Sequence, residues 1–154
     1  MAKSKKVKSE DARTYMPALG FQIVSITIGQ SSVLNQFEKV EDEKVALELG
    51  WSFDGKRGEN QINIQLNLRI LLEEEVQVSL MINNHYVILN PQILENEPVE
   101  GIPLGFLRTI VNMSLGTARG IVAQITAGTY WQAFPIPVQN ILELVPDGTK
   151  KFLS

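Results

Sequence analysis

The stretch PLGFLRTIVNMSLGTARGIVAQITAG, Pro103 to Gly128, decides how the rest of the chain is read. Projected at about 100° per residue, Leu107, Ile110, Val111, Ala118, Ile121, Val122 and Ile125 form the broad apolar face that a helix lays on a sheet. Between Gly101 and Leu142 there is no carboxylate, and Arg108 and Arg119 are the only charges. A surface helix normally carries a whole face of Lys and Glu, so this one must be shielded from water on more than one side. A second stripe holds only small residues, Gly116, Gly120, Ala123 and Ala127, and a narrow polar seam holds Arg108, Asn112, Arg119 and Thr126. Two glycines inside a helix cost about 1 kcal/mol each relative to Ala. Close approach of another backbone would compensate, and since no second long helix is in sight, the stripe is expected to be an oligomer interface with another copy of the chain. The competing reading is tight packing of Gly116 and Gly120 on the chain's own sheet. A membrane span is not expected, because Arg108, Asn112, Arg119 and Gln124 interrupt the apolar run.

Working outward toward the N-terminus, three segments alternate with a period of two. Val45, Leu47, Leu49, Trp51 and Phe53 form one half-buried strand. Ile62, Ile64, Leu66, Leu68, Ile70 and Leu72 form the cleanest, whose register should be firmly fixed. Val76, Val78, Leu80 and Ile82 begin a further strand that continues through Tyr86 to Leu89. Asp54-Gly55 opens one turn, and Glu73-Glu74-Glu75 makes the next reversal. Short connections predict antiparallel neighbours, with one face for the helix and one for water. Phe21 to Ile28 is an earlier strand, apolar on both sides, which suits an interior position or an interface. Gln30 to Glu43 reads as a crossing segment. Past the helix, Gly128 is a C′ candidate, and Thr129 to Pro137 is predicted to be extended because Pro135 and Pro137 bar a helix. Asn140 can cap a short terminal turn through Leu144, which Pro146-Asp147-Gly148 ends. The fold class is therefore α+β, a four-stranded antiparallel sheet with one long helix packed on one face.

The 154 residues suit one domain with a real core. Residues 1–18 are read as a disordered basic arm and 19–154 as a single domain. In the arm Lys3, Lys5, Lys6, Lys8 and Arg13 outnumber Glu10 and Asp11 by three, so with a net charge of −3 the remainder carries −6. That balance, with a pI near 5.2, argues against a nucleic-acid partner. No cysteine and a single histidine leave no thiolate or multi-imidazole metal site, so no cofactor or metal is expected. The absence of cysteine suits a reducing compartment, and the cytoplasm is the expected location.

Catalytic chemistry is scarce. His85 has no Asp or Cys at a triad-like spacing, the glycines match neither dinucleotide nor P-loop patterns, and the acidic runs at 41–43 and 73–75 read as solvated turns. No enzyme is expected. A hotdog thioesterase also wraps an antiparallel sheet round a helix, but it would want a catalytic acid or a Gly-rich start on that helix, and this helix has no acid. What the chain has in surplus is aromatic: Trp51, Phe53, Phe106, Tyr130, Trp131 and Phe134. Trp131 and Phe134 are expected at the surface, where such rings beside exposed strands would line a groove for extended apolar peptide.

The order of elements and several local runs resemble the SecB export-chaperone family. The matching residues are Phe21-Gln22-Ile23 with Ile26, Ser31-Ser32-Val33 in the crossover, the three alternating strands, Ala118-Arg119 in the helix, Gly128-Thr129-Tyr130, and Pro135 to Asn140 leading into Ile141-Leu142. The resemblance runs from Phe21 to about Leu144. It implies a homotetramer, a dimer of dimers with helices between sheets, that binds unfolded polypeptide clients without ATP. It also implies docking of the SecA ATPase through acidic residues on the outer sheet face. Here that face carries Asn63, Gln65, Asn67, Gln77 and Ser79 with Arg69, and Lys150-Lys151-Phe152-Leu153 stands where an acidic tail would be, which leaves SecA a doubtful partner. A dedicated module for one cognate partner, as in toxin–antitoxin-associated relatives, is the second expectation.

Overall fold

The structure is a computed structural model that describes residues 19–34, 41–56, 58–92, 101–132, 136 and 140–152. The basic lead of residues 1–18 and Phe134 lie outside the described residues. Strands β1 (Phe21–Val33), β2 (Val45–Gly55), β3 (Gln61–Leu72) and β4 (Glu75–Ile88) form one antiparallel sheet in the order β1-β4-β3-β2. Helix α1 (Leu104–Ile125) lies over β3 and β4, and a single turn, α2 (Ile141–Leu144), follows near the C-terminus. The α+β architecture expected from the sequence is the one the chain adopts.

Alternation dictates which side of the sheet is covered. Every second residue of β3 from Ile62 to Ile70 is buried, as is every second residue of β4 from Val78 to Ile88. Two clusters result under the helix. Ile62, Ile64, Tyr86 and Ile88 meet Phe106, Leu107, Ile110 and Val111 toward the helix N-terminus. Leu66, Leu68, Leu80 and Ile82 meet Leu115, Ala118 and Val122 toward its C-terminus. Between them sit polar groups: the Tyr86 hydroxyl lies 2.8 Å from Ser114 Oγ and donates to the Ile110 carbonyl at 3.1 Å. Asn84, also fully buried, has a carboxamide without a hydrogen-bond partner among the described residues.

Three local expectations are corrected. Strand β1 is not apolar on both sides: register shifts at Ile23/Ser25 and Ile28/Gln30 reset the alternation, so Ile23, Ile26 and Ile28 all pair with residues beneath the helix, and the strand continues to Val33. The crossing segment is therefore shorter than the sequence suggests. Thr129 to Gln132 is not extended, because the prolines constrain only their own neighbourhood; Tyr130–Gln132 forms a 3₁₀ turn. Trp131 is consequently turned inward and is 1% exposed rather than lying on the surface.

The hairpin between β3 and β4 turns on Glu73 (φ 50°) and Glu74 (φ 73°), both left-handed, as a two-residue turn matched to strand twist demands. Side chains with a Cβ are strained there. Glu74→Gly is expected to raise stability by about 0.5–1 kcal/mol, the relief of that strain less the added freedom of the unfolded chain. Urea unfolding checks this, and an unchanged or lower midpoint would contradict the turn geometry.

Candidate functional site: the two flanks of the long helix

The helix has an inner face on the sheet, an outer face and two flanks, and each exposes different chemistry. On the outer face Gly116, Gly120, Ala123 and Ala127 are exposed together with Gly105, Thr109 and Asn112. A Cβ built at Gly116 or Gly120 meets nothing within 4 Å. Packing of this stripe on the chain's own sheet is thereby excluded, since the glycines point away from it. No charged residue lies on this face.

The flank on the β2 side gathers most of the aromatic candidates. Trp51 and Phe53 are half-buried on β2, and Trp51 touches both core clusters. Tyr130 and Trp131 pack edge to face with centroids 5.4 Å apart. Tyr130 donates its hydroxyl to Asp42 Oδ1 at 3.0 Å. Partial burial, then the hydrogen bond to that carboxylate and its charge, push the phenol above its ordinary pKa. The chain's own C-terminal residues close over this flank: Ile141 and Leu144 pack on the clusters and Val145 is fully buried. The Trp51 indole donates to the Leu144 carbonyl at 2.8 Å. Asn140 caps the terminal turn as its sequence position predicts, its Oδ1 accepting from Leu142 N at 3.0 Å.

The opposite flank is left open by the described residues. Phe106 is buried and meets Phe21 of β1 edge to face at 5.4 Å, which marks this side of the helix as the one toward β1. Met113, two turns further on, follows Phe106 along the same flank and is exposed. The helix does not reach over β1, and Ile23, Ile26 and Ile28 on its helix side are 37%, 42% and 51% exposed. From the sequence this strand is suited to an interior position or an interface, but the three isoleucines are not singled out there as binding residues. The available signal was that Phe21 to Leu34 contains no charged residue, although edge strands are usually protected by charge.

The remaining polar groups among the described residues are dispersed over the subunit. Tyr86 sits between the clusters, and burial raises its pKa, opposed in part by the Ser114 hydrogen bond. Lys44 is raised by its hydrogen bonds to Glu73 and Glu41 and by the Glu73 charge. His85 lies on the outer sheet face, in register with Asn63 and Ser25. That face is amide-rich: Asn63 donates to Asn83 at 3.4 Å and Gln65 to Met81 Sδ at 3.2 Å, with the exposed Arg69–Glu48 pair at 2.6 Å nearby. Among the described residues no cluster of His, Cys, Asp or Glu could hold a metal ion, and no helix is long and apolar enough to cross a membrane.

Of the six aromatic residues singled out in the sequence, the fold thus brings Trp51, Phe53, Tyr130 and Trp131 to one flank and places Phe106 on the other. Phe106 and Trp131 are core residues of the subunit. Trp51, Phe53 and Tyr130 keep partial access to solvent.

No family model matches the chain, and no curated protein matches it. Among solved structures the chain is similar to the Mycobacterium tuberculosis Rv1957 SecB-like chaperone in complex with a ChAD peptide from the Rv1956 HigA1 antitoxin, at 16% identity and a TM-score of 0.44, covering 79% of this chain and 87% of that one.

An open β1 flank makes a direct expectation. Ile26→Lys should leave the urea midpoint nearly unchanged, within about 0.5 kcal/mol, while binding of the apolar dye bis-ANS falls clearly. Equal dye binding by the variant would mean that the flank is covered.

Proposed function

We propose that the protein is an ATP-independent holdase that keeps extended, apolar polypeptide from collapsing or aggregating, and that it acts as a homo-oligomer assembled through the outer face of α1. The observation that carries the reading is the uncharged apolar strip of Ile23, Ile26 and Ile28, left bare beside the helix. Apolar patches of this kind on a soluble fold mark interaction sites. A strand edge offers backbone donors and acceptors to any sequence, while apolar side chains supply affinity without demanding one partner. Holdase activity needs that combination of weak selectivity and exposed grease. The partly accessible rings of Trp51, Phe53 and Tyr130 provide a second apolar surface across the helix.

The oligomer follows from the small-residue stripe. A charge-free helix face with Gly116 and Gly120 open to contact fits a second helix at short range, and the same face on another copy is its simplest complement. A dimer of dimers would bury both the stripe and its surroundings. The client surfaces on the flanks would remain at the periphery.

A dedicated chaperone for one cognate partner is the second reading, favoured by the neutral outer sheet. Asn63, Gln65, Asn83 and Ser79 give that face hydrogen-bonding groups with directional demands and almost no charge. Such a surface suits a specific docking partner better than an acidic-patch receptor, so a role in general protein export through SecA is not part of the proposal.

Two measurements test these statements. At one tetramer per client, the protein is expected to suppress light scattering from thermally unfolding citrate synthase without nucleotide, and Ile26→Lys to weaken that effect severalfold. No suppression would remove the holdase reading, and suppression of a single cognate protein alone would select the dedicated one. Gly116→Leu and Gly120→Leu should leave the subunit folded, since the space is empty, and even raise helix stability by about 1 kcal/mol each. Both are expected to shift sedimentation toward smaller species, because the added side chains hold the helices apart. An unchanged sedimentation profile in both variants would move the interface elsewhere.

A further inference from the structure

The aromatic flank of α1 is not empty in the subunit, and its occupant describes what it is built to hold. Residues 140–152 lie along it, making contacts of three chemical kinds. Ile141, Leu144 and Val145, spaced as one helical turn, place aliphatic side chains on both core clusters. The Leu144 carbonyl accepts the Trp51 indole proton at 2.8 Å. Further on, the Lys151 ammonium stands 5.2 Å from the centroid of the Trp51 ring, close enough for attraction to the ring face.

None of these contacts depends on the segment being joined to the rest of the chain. Any polypeptide supplies a carbonyl, many supply aliphatic triads, and a Lys or Arg can stand on an indole. The holding points are correspondingly few. Arg108 donates from Nε to the Val145 carbonyl at 2.9 Å and from its terminal nitrogen to Asp147 Oδ1 at 2.9 Å, but the Asp147 side chain is 94% exposed, so the pair is screened by water. Ile102 N donates to the Lys151 carbonyl at 2.8 Å, beside Gly101, whose φ of +89° lets the chain pass so close that a Cβ there would stand 2.6 Å from that same oxygen. The segment pairs with no strand, and its only helix is the turn Ile141–Leu144.

We infer that residues 140–152 are the resident occupant of the Trp51 groove, and that the client which displaces them is an aliphatic cluster followed six or seven residues later by Lys or Arg. The inference rests on the holdase reading and gives it a sequence preference. Aliphatic side chains are required because Val145 fills a closed place in the core, which a larger ring would overpack. The basic residue is required because the face of Trp51 attracts a cation and repels a carboxylate. Displacement keeps the groove filled at every stage, so the lone subunit does not present bare rings to solvent.

Hydrogen exchange on the full-length protein tests this, with reduced, carboxymethylated α-lactalbumin as the unfolded probe. On saturation with probe, the amides of residues 141–152 should exchange at least about tenfold faster while those of β3 keep their protection. Asp147→Asn, which removes the segment's ion pair with Arg108 at an exposed site and leaves the groove wall intact, should bind the probe about two- to threefold more tightly, and Asp147→Lys, which sets two cations side by side there, should act in the same direction to a larger degree. Probe bound at full stoichiometry with residues 141–152 still protected would overturn the inference and leave the holdase reading standing. Failure of the probe to bind wild type or either variant would overturn both. Among synthetic peptides, one with an aliphatic triad and a lysine seven residues on should outcompete its glutamate counterpart, and equal competition would remove the proposed preference.

Discussion

A helix with its side chains is about 10 Å across, and neighbouring strands are about 4.8 Å apart. One such helix can therefore roof two strands, whereas this sheet has four. Much of the molecule follows from that mismatch in width. The helix is centred on β3 and β4, whose inward residues are almost all fully buried, and each outer strand is left with an apolar face it cannot hide. Over β2 the chain solves the problem with its own C-terminal residues and the inward-turned Trp131. Over β1 the described residues offer no such cover. The asymmetry between a furnished flank and a bare one is the physical basis for reading the protein as a binder of other chains.

The outer face of the helix repeats the theme in another form. Its residues are small and uncharged rather than large and apolar, so exposure to water costs little, yet the lack of Lys and Glu is hard to explain for a helix meant to stay wet. Glycine at 116 and 120 weakens the helix without any intramolecular return, since neither touches anything across the gap. That combination is intelligible when a second helix lies there. The bare strand and the bare helix face thus differ in chemistry, one offering apolar side chains and the other room for close approach.

The sequence disclosed the sheet and the helix because both rest on periodicity. The run from Ile62 to Leu72 admits one register, and the stretch from Pro103 to Gly128, with no carboxylate and only two arginines, admits one placement. It was less informative where local backbone irregularity intervenes. The β1 bulges convert an apparently two-sided apolar strand into a one-sided one, and nothing in the residues Val24 or Gly29 announces that shift. Trp131 was misplaced because Pro135 was allowed to govern residues four positions ahead of it. The site suffered for a related reason. Aromatic residues are conspicuous in a sequence and attract functional assignments, but Phe106 and Trp131 serve the core, while the exposed apolar strip on the helix side of β1 is built from ordinary isoleucines whose meaning depends on what fails to cover them.

The strand order has a consequence for how the chain reaches its native state. β2, β3 and β4 are joined by short turns and can zip up from neighbours, but β1, made before them, pairs among the described strands with β4, the last of the four to be made. Its uncharged isoleucines must therefore wait, unmated, while more than forty residues emerge, and nonlocal pairing of this kind is slow to form. During biosynthesis the nascent chain passes through a stage at which its own first strand is the sort of segment that the proposed holdase would shelter, so that on this proposal copies already folded could attend the folding of new ones.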